Sequence, residues 1–202
     1  MSYQTGGTRG SLLWSVHREG DFCGYLFGTM HVRDRSAFLW IHEIKSRIEE
    51  CEIYAAEMHL GEVDPVKLSE SAMLSEDQTL TDLIPSRKYG KVRKQVLKSF
   101  GLDLDTMKYL HPFLVISRLS ESVLSEDHLH PLDQALFQHA VRLGKEATGL
   151  ESFADQMEIM NELDPADHVK GILQIARHPS KFRNSIRNMV KYYEAQDIQR
   201  LY

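Results

Sequence analysis

Residues 22–31 read Phe22-Cys23-Gly24-Tyr25-Leu26-Phe27-Gly28-Thr29-Met30-His31, an apolar and aromatic run that breaks at a glycine and delivers a histidine. A second such run, Leu12-Leu13-Trp14-Ser15-Val16, precedes it, and Glu19-Gly20-Asp21 between them has turn chemistry. The pair predicts a β-hairpin. Downstream, Ala37, Ile41, Ile44, Ile48 and Cys51 recur in alternating steps of four and three, with Glu43, Lys45, Arg47 and Glu50 on the other side. That spacing predicts an amphipathic helix, with Ser36 as its N-cap. Ile53-Tyr54-Ala55-Ala56 then reads as a third strand, closed by Glu57. The expected core is Trp14, Leu26 and Ile53 against Ile41, Ile44 and Ile48.

From about residue 64 to 143 the pattern turns helical. Asp64-Pro65 is an N-cap followed by an N1 proline. Tyr89, Val92, Val96 and Phe100 form one apolar stripe, and Leu132, Leu136, His139 and Leu143 form another that Gly144 ends. Glu146-Ala147-Thr148-Gly149-Leu150 predicts a short strand. Asp164-Pro165 opens a helix carrying Val169, Ile172, Leu173 and Ala176, and a last helix is expected to carry Ile186, Met189, Val190, Tyr193 and Leu201. The fold class is therefore α/β: a small mixed sheet that begins with an N-terminal β-hairpin, and a large, mostly helical insertion over 64–143. Helical periodicity over 186–202 meets no Gly, Asn or Pro stop signal, so the chain is expected to continue as a longer protein would.

Charge and length exclude several function classes. The 202 residues carry 24 Lys and Arg against 29 Asp and Glu, a net charge of −5. A mildly acidic chain is a poor match for nucleic acid, whose binding requires phosphate neutralisation. No apolar run is long enough to span a bilayer. The N-terminal Met1-Ser2-Tyr3-Gln4-Thr5-Gly6-Gly7 has neither the basic nor the apolar region of a signal peptide. The compartment stays open between the cytoplasm and export with a leader already removed. Cys23 and Cys51 form no metal-binding spacing and read as reduced packing thiols, a disulfide between them being the alternative. Serine-hydrolase, zincin, P-loop and dinucleotide-binding signatures are all missing.

Three strand ends carry candidate chemistry. His31 lies just beyond the second strand, where open α/β sheets place ligands and bases. Gly28 is expected to provide the sharp backbone turn before it. A loop histidine that caps a helix is the competing reading. Glu57 closes an apolar strand, where a carboxylate suits a cation or a catalytic task, or simply reaches solvent. Glu151 follows Thr148-Gly149-Leu150 in the same way. If the strands are neighbours, the three converge on one rim, a constellation suited to a divalent metal or to paired acid–base hydrolysis. His128 and His130, His139, His111-Pro112 and the basic stripe Arg87, Lys91, Lys94 and Lys98 read as structural or solvated features.

Leu12-Leu13-Trp14 before Gly-Tyr-Leu-Phe-Gly-Thr-Met-His resembles the opening of the TraB/PrgY/GumN family, which is related to the Tiki metalloproteases and similar in fold to the EreA/ChaN group. Further marks follow in order: Ala55-Ala56-Glu57, Leu132-Asp133 before a helix, Gly144-Lys145, and Gly149-Leu150-Glu151 with Gln156. The resemblance covers most of residues 11–200. It implies a single domain over 1–202 and a metal-dependent, peptidase-like hydrolase acting on a peptide or protein. His31 and Glu57 would hold the metal (manganese, cobalt or zinc), Glu57 and Glu151 would be catalytic, and Gln156 would contact substrate. Family members carry a later Arg-Asn pair and a second GxxH motif. Neither falls within this chain, since Arg187-Asn188 lies in the helix before the expected position, so its C-terminal part is expected to be missing. A non-catalytic peptide-binding or signal-peptide-inhibitor module using the same cleft is the alternative.

Overall fold

The computed structural model describes residues 3–6, 11–75 and 77–201. The ends of the Met1–Gly7 leader reading (residues 1, 2 and 7) and the final Tyr202 lie outside them. The two apolar runs form the expected hairpin, and a further strand joins it. β1 (Tyr3–Gly6), β2 (Leu13–Arg18) and β3 (Asp21–Phe27) make an antiparallel sheet in that order. Trp14 pairs with Leu26 and Ser15 with Tyr25. Glu19 and Gly20 turn the hairpin with φ of 55° and 99°, the positive values a two-residue turn needs to match strand twist. β4 (Ile53–Met58) and β5 (Glu146–Glu151) pair with each other in a second sheet. Among the described residues the strands thus divide into two small sheets where one was expected.

Helices account for most of the remainder: α1 (Ile41–Glu50), α2 (Pro65–Ser71), α3 (Leu80–Leu83), α4 (Ser86–Phe100), α5 (Pro112–Glu121), α6 (Leu132–Arg142), α7 (Phe153–Glu162), α8 (Pro165–Arg177), α9 (Pro179–Glu194) and α10 (Ile198–Leu201). The Asp64-Pro65 and Asp164-Pro165 signals act as read. Asp64 accepts from the Val66 amide at 2.9 Å and Asp164 from the Ala166 amide at 2.8 Å. Gly144, at φ 71°, takes the left-handed position after α6. The Ala37–Cys51 periodicity, in contrast, breaks in two. A 3-10 turn over Arg35–Phe38 precedes α1, and its cap is Asp34, which accepts from the Ser36 amide at 2.9 Å. Ser36 therefore does not cap the helix.

The chain forms two compact units. One takes in the described residues of Met1–Leu60, Ser125–Leu150 and Arg187–Tyr202, the other Gly61–Leu124 and Glu151–Ile186. Residues 125–143, the end of the 64–143 stretch, thus pack in the first unit.

The core of the first unit is Leu12, Ala37, Phe38, Ile44, Ile48, Leu132, Leu136, Ala140 and Tyr193. Ile44 and Ile48 are buried as expected, but Leu26 is 58% and Ile53 54% exposed. Trp14 is only partly buried. Strand alternation explains Ile53: exposure alternates along β4, which turns Tyr54, Ala56 and Met58 inward and leaves Ile53 with Ala55 and Glu57 outside. His128 stacks on Phe38 with ring centroids 3.7 Å apart, and His139 lies 3.8 Å from Glu49. Cys23 and Cys51 are free thiols.

The second unit is built around Leu80, Ile84, Val96, Leu104, Val115, Leu119 and Ile172. Val92 and Val96 bury the inner face of α4, while Arg87, Lys91, Lys94 and Lys98 are exposed. His111 is buried, caps α5 by accepting from the Phe113 amide at 3.3 Å, and sets its ring 5.8 Å from that of His168. Burial, aided by the nearby His168, lowers the His111 pKa against the opposing pull of the Leu163 carbonyl. The unfolded chain therefore binds a proton more readily than the folded one. The stability held above the ordinary histidine value of 6.5 falls as pH drops below it. His111→Asn replaces the capping Nδ1 with a capping amide oxygen and removes the titration. Urea unfolding of this variant is expected to show a smaller loss of stability between neutral and acid pH than the parent chain, and an equal loss would reject the assignment.

Among the described residues no helix is long and apolar enough to cross a membrane.

Candidate functional site

β3 ends at Phe27, and the next residue is held from two directions. The Gly28 amide donates to the Leu12 carbonyl at 3.0 Å, and the Tyr193 hydroxyl donates to the Gly28 carbonyl at 2.9 Å. Gly28 does not have a positive φ, and a Cβ built there would meet Leu12 Cδ2 at 3.6 Å, an ordinary contact. The expected role for this glycine as a sharp-turn residue is thus corrected: hydrogen bonds, not a glycine-only conformation, set the path to His31. Gly28→Ala is expected to change stability by less than about 1 kcal/mol, measured by chemical unfolding; a larger loss would show a steric requirement at this position.

The imidazole of His31 stands between two carboxylates. Its Nε2 lies 3.4 Å from Glu57 Oε2, and its Nδ1 lies 3.0 Å from Asp133 Oδ2. His31 and Glu57 thus meet, but not as neighbouring strand ends, because β3 and β4 belong to different sheets. The segment after β3 makes the reach. It is fastened to α6 where the Leu132 amide donates to the Val32 carbonyl at 3.3 Å, and the His128 amide donates to the Arg33 carbonyl at 3.1 Å. Glu57 points outward with alternate β4 residues, its side chain 70% exposed; His31 is 54% exposed and Asp133 23%.

Asp133 is the residue that sequence reasoning did not place in the site. It sits in the first turn of α6, where an acidic side chain normally reads as a favourable partner for the helix terminus. The family mark Leu132-Asp133 was the signal that could have found it.

The electrostatics follow from this arrangement. The hydrogen bond to Asp133 raises the His31 pKa above 6.5, with the charges of Asp133 and Glu57 adding to it and partial burial opposing. A raised histidine value stabilises the fold fully below the unfolded value, and that contribution is lost as pH rises through the folded one. Beside Asp133, Tyr54 is pushed up to about 12, first by burial and then by that carboxylate.

Glu151 and Gln156 belong to the second unit. There the Gln156 side-chain amide donates to the Glu151 carboxylate. Ser152 follows as the N-cap of α7, in a reciprocal capping box with Asp155. Glu151 is exposed.

A divalent ion of the kind the resemblance implies needs nitrogen and oxygen donors. His31 Nε2 and Glu57 Oε2 supply one of each. Two donors roughly 2.1 Å from one tetrahedral ion lie about 3.4 Å apart, and 3.4 Å is the separation found here. Asp133 on the far ring nitrogen matches the carboxylate that commonly backs a metal-bound histidine. The pair thus fits such an ion in donor type and spacing. Among the described residues no group of three or more His, Cys, Asp or Glu side chains is arranged to hold an ion.

A family model for TraB/PrgY/gumN matches residues 12–202, nearly the whole chain. The chain belongs to the TraB/PrgY/gumN family. No curated protein and no solved structure matches it. The match begins at Leu12, whose carbonyl fastens Gly28, and takes in His31, Glu57, Asp133, Glu151 and Gln156.

Proposed function

We propose that this chain is a metal-dependent hydrolase of the TraB/gumN type that acts on a peptide. The observation that supports this reading is the facing pair His31 and Glu57, 3.4 Å apart and open to solvent, with Asp133 behind the imidazole. His31 Nε2 and the Glu57 carboxylate would hold the ion, and the exposure of both leaves room for a substrate. When bound, a manganese, cobalt or zinc ion supplies Lewis-acid polarisation and a water of lowered pKa. Glu57 is acceptor-only when ionised, so with Oε2 toward the ion its other oxygen, Oε1, would be the one left to take a proton. For Glu151 and Gln156 the reading keeps what the family motif implies: a carboxylate that assists and an amide that contacts substrate.

Incubating the chain with a fluorogenic peptide library, after chelation and again after adding Mn²⁺, Co²⁺ or Zn²⁺ singly, tests the proposal. Cleavage that is lost on chelation and restored by one of these ions is expected. Cleavage indifferent to chelation would overturn the metal assignment. Peptide retention without cleavage under every condition would replace the hydrolase with a binding module using the same residues.

A further inference from the structure

We propose that Asp133 is a positioning residue that holds His31 in its Nδ1–H tautomer, so that the Nε2 lone pair is the one presented beside Glu57. Ionised Asp133 is acceptor-only. With its Oδ2 3.0 Å from His31 Nδ1, the shared proton must be carried by the ring. A neutral imidazole then has its lone pair on Nε2. That lone pair faces Glu57 Oε2, also an acceptor, at 3.4 Å. Two acceptors in that position repel each other unless a proton or a cation lies between them. The tautomer set by Asp133 therefore makes the outward side of the ring a seat for positive charge.

Three features hold the arrangement in place. The Leu132 amide to Val32 carbonyl bond ties together the residues adjoining Asp133 and His31. The first turn of α6, where Asp133 sits, is a favourable place for a negative side chain. The second Asp133 oxygen, Oδ1, is buried and has no hydrogen-bond partner among the described residues, which leaves the carboxylate directed to His31. Asp133 touches neither the outward ring nitrogen nor Glu57 in this scheme; it acts through His31. The tautomer stands independently of the proposed hydrolase function, whereas the part concerning an ion rests on that reading.

The test is a long-range proton–nitrogen NMR spectrum of the ¹⁵N-labelled chain at about pH 9, above the usual histidine range. In the parent chain the expected His31 signals are a protonated, pyrrole-like Nδ1 and a pyridine-like Nε2. Asp133→Ala is expected to shift the ring toward the Nε2–H form that free imidazole side chains favour. Mn²⁺ alone, followed by broadening of the Gly28–His31 amides, is expected to bind Asp133→Asn roughly 10- to 100-fold more weakly than the parent. A parent ring already in the Nε2–H form overturns the proposal without any variant, and so does an unchanged tautomer in Asp133→Ala. A parent ring held as Nδ1–H that binds no Mn²⁺ upholds the tautomer and overturns the metal reading.

Discussion

Glu57→Gln is expected to lower peptide hydrolysis by about 100-fold or more, the low end of what a positioned acid–base group contributes. The thermal midpoint should stay within about 2 °C of the parent. The side chain is 70% exposed, on the outer face of a strand whose packing comes from Tyr54, Ala56 and Met58, so the fold does not depend on its charge. Glutamine keeps the shape and removes the anion beside His31 Nε2, while the Asp133 contact on the opposite ring nitrogen remains. Its amide can also donate to that nitrogen, which blocks the lone pair as well as removing the base. Activity above about a tenth of the parent would exclude Glu57 from both proposed roles. A matching fall in thermal midpoint would show that the loss came through the fold.

The hairpin and the two Asp-Pro helix starts are legible in the sequence because their causes are local. Alternating or apolar runs, a turn residue and a capping oxygen act within a few residues of each other. The direction a strand faces is not local. Ile53 reads as core by its side chain, yet the face of β4 that packs is the one carrying Tyr54, Ala56 and Met58. Leu26 is misread for the same reason, since the packing that covers a strand comes from elements remote in the chain. Division of the strands into two sheets follows from pairings that no single stretch specifies. The site shows both sides of this. His31 and Glu57 stand out because polar groups directly after apolar strands are conspicuous. Asp133 does not, because an acid in a first helical turn already has an ordinary explanation. Its place beside His31 comes from a contact about a hundred residues away in sequence, fastened by the bond between Leu132 and Val32.

Tyr193→Ala is expected to cost about 3–5 kcal/mol of stability, the range for deleting a buried aromatic ring. Tyr193→Phe is expected to cost only about 1 kcal/mol, the net worth of one hydrogen bond. Tyr193 is 2% exposed and sits in the core of the first unit, and burial raises the pKa of its hydroxyl. Its ring therefore contributes mainly by filling space, and the hydroxyl by satisfying the Gly28 carbonyl at 2.9 Å. Its neighbourhood magnifies the alanine effect. Just beyond α9, Gln196 accepts from the Leu12 amide at 3.1 Å, and Leu12 in turn accepts from the Gly28 amide. A cavity at Tyr193 removes one of the two fastenings of Gly28 and loosens the packing beside the other. At about 2–4 °C per kcal/mol for a chain of this size, the alanine variant should melt roughly 6–20 °C below the parent and the phenylalanine variant within about 4 °C. The phenylalanine variant also separates packing from site geometry, since it keeps the ring and frees the carbonyl three residues before His31. If it unfolds as readily as the alanine variant, the hydrogen bond to Gly28 outweighs the ring in holding this segment; if both melt with the parent, the Tyr193 side chain contributes little to the core that supports the site.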